Sequence, residues 1–170
     1  FITTATSGRS ATSIAFLPAS SGTCSVAPST ATPATDTPAA VEKTSGDEIN
    51  LSGKNLTQIS KDILDDSSVT KLDVSNNNLT GALPAEIRKL TNLEVLIASD
   101  NKMTGIPAEI GQLSKLKVAN FANNKLSGLP QEIGKLKNLQ TLDLRGNPDV
   151  SQADLATIRQ QIPNAKILTD

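Results

Sequence analysis

The sequence predicts an α/β solenoid, in which short parallel strands and short helical turns alternate within a repeating unit. Three observations carry this prediction. From Leu72 to Asn147 one pattern recurs with a period of 23 or 24 residues, each copy opens with an apolar–x–apolar pair, and each copy then places an Asn at the same offset. A fixed period in this range indicates stacked supersecondary units that share one continuous core.

The repeat copies begin near residues 49, 72, 96, 119 and 142. The regular copies read LDVSNNNLTGALPAEIRKLTNLEV, LIASDNKMTGIPAEIGQLSKLKV and ANFANNKLSGLPQEIGKLKNLQT, and the first of these has one extra residue, Ala82. The copy over 49–71 is degenerate, because Lys54 stands at the Asn position, Gln58 at the Gly position and Ser60 at the Pro position. Terminal units of solenoids depart from the consensus in this way, since one side has no neighbour.

Residues 1–46 differ in composition from the repeats. They are rich in Ser, Thr, Ala and Pro and carry few charges, so they cannot bury enough apolar surface to form a core. We expect a flexible tail or tether over 1–46, followed by the repeat domain over 47–170. Cys24 follows a short apolar run and precedes a Ser/Pro/Thr-rich spacer, as in a bacterial lipoprotein signal, and is a candidate for lipidation. The alternative is an incidental thiol in a segment foreign to the native chain.

The apolar pair at the start of each copy is expected to point into the core from a short strand. These pairs are Leu72/Val74, Leu96/Ala98, Ala119/Phe121 and Leu142/Leu144. Ala98 is small for its place, and close packing predicts that Phe121 beside it fills the space.

The recurring Asn residues are expected to form a structural ladder. They are Asn77, Asn101, Asn124 and Asn147. Where a strand bends towards the opposite face, backbone N–H and C=O groups would be buried without partners, and a stacked side-chain amide offers both a donor and an acceptor.

Each regular copy next places an apolar–Pro pair before Glu-Ile, which predicts a short helical turn with Pro at its first position. Glu86, Glu109 and Glu132 follow the prolines, and Lys89, Gln112 and Lys135 follow the glutamates at a spacing of three. Acidic residues favour a helix N-terminus, and Glu–Lys pairs at this spacing favour a solvated helix face. We therefore interpret these carboxylates as structural rather than catalytic.

The segment 151–170 is predicted to cap the carboxyl end. Ser151 followed by Asp154 is typical of a helix start, Pro163 ends the helix, and the residues 164–168 repeat the pattern of a final strand. Three candidates could cover the amino-terminal edge of the core. They are the segment Ala39–Val41, the apolar run Ile14–Leu17 and a dimer partner.

The core L-x-L-x-x-N-x-L, together with the LTG-x-[IL]-P and P-x-E-I-G-x-L segments, resembles leucine-rich repeats. The resemblance implies a short right-handed horseshoe with the parallel sheet on its concave face and the helical turns on its convex face. It also implies binding to other proteins without chemistry. The paired Cys caps of plant receptor ectodomains are missing, which favours a small bacterial surface protein of the lipoprotein-like type.

Composition excludes several classes of function. A net charge of −1 provides no basic excess for nucleic acid. The sequence has no His and one Cys, which rules out a Ser–His–Asp triad and His- or Cys-rich metal sites. No apolar run reaches the roughly 18 residues of a membrane span. We expect a protein that is not an enzyme and needs no cofactor.

The outward strand residues are expected to line the concave face. The candidate partner-binding residues are Lys71, Asp73, Val95, Ile97, Asp100, Val118, Asn120, Ala122, Asp143 and Arg145. An apolar centre inside a polar rim is typical of a protein-binding patch. The alternative is that Val95, Ile97 and Val118 are only good strand formers.

Two functional hypotheses follow from these observations. The first is a non-catalytic module that binds an unidentified partner protein through the concave face, outside the cell or at a bacterial cell surface with a lipid anchor. The second is a structural surface protein that associates with itself through an uncapped amino-terminal edge or the tail. The sequence is compatible with a monomer or with weak self-association.

Overall fold

A computed structural model describes residues 42–43 and 47–170. It confirms the predicted α/β solenoid. The strands are β1 (Glu42–Lys43), β2 (Glu48–Asn50), β3 (Lys71–Asp73), β4 (Thr80–Gly81), β5 (Val95–Ile97), β6 (Lys102–Met103), β7 (Val118–Asn120), β8 (Thr141–Asp143) and β9 (Lys166–Leu168). The helical segments are the 3-10 helices Lys61–Asp65, Ala85–Lys89, Ala108–Gln112 and Gln131–Lys135, and the α-helix α1 (Gln152–Gln161).

The main sheet has the strand order β1-β2-β3-β5-β7-β8-β9, and all neighbours from β2 to β9 are parallel. Each strand pairs with the next in the same repeat register: Leu72 lies opposite Leu96, which lies opposite Ala119. Because equivalent residues are neighbours, each strand position forms a column across the sheet.

The amino-terminal edge of this sheet carries a strand of the same chain. β1 pairs antiparallel with β2, with Lys43 opposite Ile49 and Glu42 opposite Asn50. It begins directly after Val41, the end of one of the three segments considered for this role. The expectation of an open first strand is therefore wrong for the backbone of β2. The tether over 1–46, the lipidation of Cys24 and the Ile14–Leu17 run lie outside the described residues, apart from the two residues of β1.

The middle residue of each strand points into the core, as predicted from the apolar alternation. Leu72, Leu96 and Ala119 are buried in three adjacent strands. Ala98 and Phe121 directly follow the paired residues Ile97 and Asn120, and both are fully buried. A small and a large residue therefore sit side by side in one core layer.

The Asn side chains form one buried column that joins neighbouring repeats. Asn101 accepts a hydrogen bond at Oδ1 from Leu79 N (3.1 Å) and donates from Nδ2 to Val74 O (3.0 Å). Asn77, Asn124 and Asn147 make the equivalent two bonds, each to the repeat that precedes its own. Each amide thus satisfies a backbone donor and a backbone acceptor of the preceding repeat.

The convex turns differ from prediction in two details. Pro84, like its counterparts Pro107 and Pro130, precedes its 3-10 helix as the capping residue instead of occupying the first helical position. The charged residues pair across repeats: Glu86 binds Lys61 at 2.9 Å, and Lys89 binds Asp65. In this turn, the pair between stacked repeats takes the place of the predicted Glu86–Lys89 pair.

At the carboxyl end, α1 packs Leu155 and Ile158 onto the core, and β9 extends the sheet beside β8. Ser151 Oγ caps the helix by accepting from Asp154 N (3.3 Å). Asp154 Oδ2 in turn accepts from Leu129 N (3.2 Å), so the helix start is fastened to the preceding repeat.

Candidate protein-binding face

The first and third residues of the sheet strands face away from the core. The first-residue column reads Glu48, Lys71, Val95, Val118, Thr141 and Lys166, and the third-residue column reads Asn50, Asp73, Ile97, Asn120, Asp143 and Leu168. Alternation along a strand assigns these positions to the face opposite the buried middle residues. The candidate residues Lys71, Asp73, Val95, Ile97, Val118 and Asn120 are half-buried on this face.

Three aliphatic residues form the centre of the concave face, and we call them the apolar strip: Val95, Ile97 and Val118. Val95 lies directly opposite Val118, and Ile97 lies opposite Asn120 on the same pair of strands. Neighbouring strands are about 4.8 Å apart, so the three side chains are contiguous. Ala122, expected at the edge of this strip, is only 9% exposed and adds little surface.

The polar residues of the third-residue column have a structural task that the sequence analysis missed. In four of the five repeats the side-chain oxygen accepts a hydrogen bond from the backbone N–H two residues later. These bonds are Asn50 to Ser52 N (2.9 Å), Asp73 to Ser75 N (3.0 Å), Asn120 to Ala122 N (3.0 Å) and Asp143 to Arg145 N (3.2 Å). Asn and Asp form such turns readily. The recurring Asn or Asp at this position was the signal in the sequence.

Ile97 is the exception among the five repeat strands, because its side chain has no hydrogen-bond acceptor; Leu168, the other aliphatic residue of the column, belongs to the capping strand β9. The third repeat therefore lacks the turn-forming bond that the other four repeats possess. In exchange it presents an aliphatic side chain between Asp73 and Asn120 on the neighbouring strands. This substitution creates the centre of the apolar strip.

Four of the charged residues around the strip form two ion pairs. Lys71 binds Glu48 at 3.3 Å, and Arg145 binds Asp143 at 2.6 Å. The hydrogen bond from the Arg145 guanidinium holds the pKa of the Asp143 carboxyl below its ordinary value. Each pair is close to neutral, and Asp73 and Asp100 instead accept hydrogen bonds from Ser75 N and Asn123 Nδ2, so the rim offers polar contacts of defined direction.

The rim residue of each turn has a positive φ. Asn76, Asp100 and Asn123 have φ values of 53°, 57° and 54°, and glycines occupy the same position at 53 and 146. Asn and Asp tolerate the left-handed region better than other non-glycine residues. Asp100, a candidate binding residue, is exposed and accepts a bond from Asn123 Nδ2 (2.9 Å). Asp100 is thus suited to its position both because it tolerates a positive φ and because its exposed side chain can contact a partner.

Two further features bear on the expected class of function. Within 42–43 and 47–170, no group of three or more Asp, Glu, Cys or His residues is arranged to hold a metal ion. None of the described helices is long and apolar enough to cross a membrane.

The repeats match known protein families. Two family models, both described as leucine-rich repeat, match residues 68–90 and 91–148. No curated protein matches the chain.

Solved structures with this fold include bacterial and plant proteins. A leucine-rich-repeat protein of Leptospira interrogans is 40% identical with a TM-score of 0.62, over 65% of this chain and 28% of that one. The plant peptide hormone receptor RGFR1, solved in complex with RGF2, is 37% identical with a TM-score of 0.55, over 65% of this chain and 18% of the receptor. The ectodomain of the Arabidopsis thaliana receptor kinase SOBIR1 is 29% identical with a TM-score of 0.57, over 71% of this chain and 66% of that one. The chain thus spans less than a third of the first two proteins.

Proposed function

We propose that this chain, which is a leucine-rich-repeat protein, binds a protein or peptide partner through the apolar strip on its concave face. Leucine-rich repeats generally act as non-enzymatic modules for protein–protein interaction. Neighbours with this fold include the plant peptide hormone receptor RGFR1 in complex with RGF2 and the BIR3–SERK2 complex of Arabidopsis thaliana. These complexes support partner binding as the class of function for the present chain.

The observation that carries the proposal is the identity of residue 97. Four repeats have a turn-forming Asn or Asp at this position, and the third repeat has Ile97 instead. Folding alone favours the polar residue, since it satisfies a backbone donor. A residue that forgoes this bond and exposes aliphatic surface in the middle of a sheet face points to selection for contact with a partner.

The composition of the strip sets the expected strength of binding. Hot spots in protein interfaces are enriched in Trp, Tyr and Arg, and the strip has no aromatic residue. Its one neighbouring arginine, Arg145, is engaged by Asp143. We expect modest affinity per site, with stronger attachment where several copies are displayed together.

Display at a bacterial cell surface is the setting that we propose for this activity. The Leptospira neighbour and the Ser/Thr/Pro-rich composition before the repeats support it. Under this proposal Cys24 carries a lipid and the segment after it serves as a tether. Mass spectrometry of native material should find the lipid mass on the peptide containing Cys24; an unmodified thiol there would remove the anchor from the proposal.

The binding proposal is tested by Ile97→Asn. This change installs the residue found at the matching position in β7, Asn120, so it should form the missing turn bond and keep or slightly raise the unfolding free energy. It also removes the centre of the apolar strip. We expect capture of the partner from a host-cell extract, measured by quantitative mass spectrometry, to fall at least about tenfold relative to the unmodified chain.

Ile63→Asn is the matched control, because it makes the same chemical change at a half-buried aliphatic residue on the convex turn Lys61–Asp65. The control should retain partner capture provided that its circular dichroism spectrum is unchanged. Equal capture by Ile97→Asn and the unmodified chain would exclude the apolar strip as the binding surface.

A further inference from the structure

The third-residue column of the concave face contains two carboxylates, Asp73 in β3 and Asp143 in β8. Both form the same local turn. Oδ1 of each accepts a hydrogen bond from the backbone N–H two residues later, at 3.0 Å from Ser75 N and at 3.2 Å from Arg145 N. The side chain at that later position then decides whether the negative charge is neutralised within the chain.

The chain itself supplies the cation for Asp143. Arg145 Nε donates to Oδ1 at 3.0 Å and Arg145 Nη2 donates to Oδ2 at 2.6 Å, so one guanidinium binds both carboxylate oxygens. The planar guanidinium matches a carboxylate in this two-point arrangement. This pair shows what fully satisfies an outward carboxylate at this place in the repeat.

Asp73 has the same turn but no arginine. Ser75 stands where Arg145 stands in the other repeat, and its hydroxyl donates to Oδ1 of Asp73 at 2.6 Å. Lys71, on the same strand, pairs with Glu48 instead. Within residues 42–43 and 47–170, no lysine or arginine forms an ion pair with Asp73, and no hydrogen bond reaches its Oδ2. This half-buried carboxylate therefore presents an unneutralised charge and a free acceptor oxygen on the concave face.

The centre of the apolar strip adjoins this carboxylate. Ile97 lies directly opposite Asp73 on the neighbouring strand, and such strands are about 4.8 Å apart. The methylene groups of an arginine pack on apolar surface while its guanidinium stays at a polar site, so an arginine lying on Ile97 reaches Asp73. A neutral or acidic residue there would bury the carboxylate without a counter-charge, which is unfavourable.

We propose that the partner of the concave face presents an arginine between aliphatic residues. Its guanidinium binds Asp73 as Arg145 binds Asp143, and its aliphatic neighbours pack on the apolar strip. This inference rests on the proposed binding function of the strip and adds the chemistry of the partner. Arginine and aromatic residues dominate interface hot spots, and the partner's arginine supplies the anchor that the strip itself lacks.

The test uses the 15N-labelled full chain and two blocked tripeptides, acetyl-Val-Arg-Val-amide and the same peptide with citrulline in place of arginine. The amide resonance of Ser75 reports on Asp73, because this N–H donates to its carboxylate. We expect a saturable shift with the arginine peptide at concentrations up to about 10 mM, a range that suits so small a ligand. Citrulline has a similar length and no charge, so its peptide should bind about fivefold more weakly or worse.

Asp73→Asn tests the location of the contact. The amide keeps the turn acceptor, as Asn120 does in β7, but removes the charge. Asp62→Asn is the matched control, because it makes the same change of net charge at an exposed residue of the convex turn Lys61–Asp65. The preference for arginine over citrulline should disappear in Asp73→Asn and persist in Asp62→Asn.

Three results would overturn the inference: no shift of the Ser75 amide, equal binding of the two peptides by the unmodified chain, or a preference for arginine that persists in Asp73→Asn. The measurement needs no natural partner, so it is independent of the capture experiment. Loss of capture in Ile97→Asn without a preference for arginine would overturn this inference alone, whereas unchanged capture in Ile97→Asn would overturn the proposed function.

Discussion

Individual side chains in this protein often serve the backbone and the surface at once. The third-residue column shows this most directly. Asp73 and Asn120 face outward, but one side-chain oxygen of each accepts a hydrogen bond from a backbone N–H. These side chains therefore have fewer free hydrogen-bonding groups for a partner than their outward position suggests. Ile97 gains its significance from this comparison, since it departs from the other four repeats and forgoes their turn bond.

The pairing of Asp143 with Arg145 gives a prediction about pH. The folded pKa of Asp143 is depressed, so its contribution to stability is present above the unfolded value of about 3.9 and is lost as pH falls through the folded pKa. Asp143→Asn keeps the turn acceptor but loses the ion pair. We expect it to lower the unfolding free energy by about 0.5–1 kcal/mol at pH 7. The effect is small because Arg145 is exposed and solvent screens the ion pair.

Urea unfolding at pH 7 and at pH 3 measures this effect. The difference between Asp143→Asn and the unmodified chain should shrink at the lower pH, because pH 3 lies below the unfolded pKa of Asp143 and unfolding then takes up a proton at this residue. The absence of His from the sequence keeps the region between pH 5 and 8 free of side-chain titration with ordinary pKa values. A difference of the same size at both pH values would show that the charge of Asp143 is not its source.

The Asn column gives a second prediction for a single residue. Asn101→Ala should lower the unfolding free energy by at least about 2 kcal/mol, because Leu79 N and Val74 O lose their partner in a buried place. Lys102→Ala, at the exposed neighbouring position, should change it by less than about 0.5 kcal/mol. Equal effects of the two changes in urea unfolding would mean that water replaces the amide at little cost.

Among the elements, the strands were predicted well and the turns less well. The apolar alternation located the strands because a slip of one residue would expose Leu96 and bury Val95. The register and the inward residues therefore followed from sequence. The convex pairing of Glu86 with Lys61 did not, because it depends on how closely one turn stacks on the previous one. A pocket of about 410 Å³, lined mainly by residues of the first and second repeats, also escaped prediction.

Close stacking of the convex helices gives a prediction at this scale. A Cβ atom at Gly111 would lie 2.5 Å from the Glu132 carbonyl oxygen and 2.7 Å from its Cβ atom. Gly111→Ala should therefore force the third and fourth repeats apart and cost about 1–3 kcal/mol of unfolding free energy.

Gly105→Ala is the control for this change. Its added Cβ atom would meet no atom within 4 Å, and its φ lies outside the left-handed region. Thermal unfolding of both variants gives the comparison: Gly105→Ala should unfold near the temperature of the unmodified chain, and Gly111→Ala several degrees lower. A Gly111→Ala variant as stable as the control would mean that the two turns can separate without strain.

At the scale of the whole molecule, the solenoid leaves two hypotheses to separate. The strand β1 covers the backbone of β2, so one of the two features proposed for self-association, the amino-terminal edge, is already paired, and the tail is the other. We expect the mass of the full chain in static light scattering to stay that of a monomer across a concentration series. A mass that rises with concentration would favour self-association as a function.

The central claim is that a partner contacts this protein at the apolar strip of its concave face. A photo-reactive benzoylphenylalanine placed at residue 97, or at the exposed convex residue Gln112, tests this contact in host-cell extract. We predict a covalent partner adduct from position 97 and none from position 112. An adduct from position 112 together with none from position 97 would contradict the account.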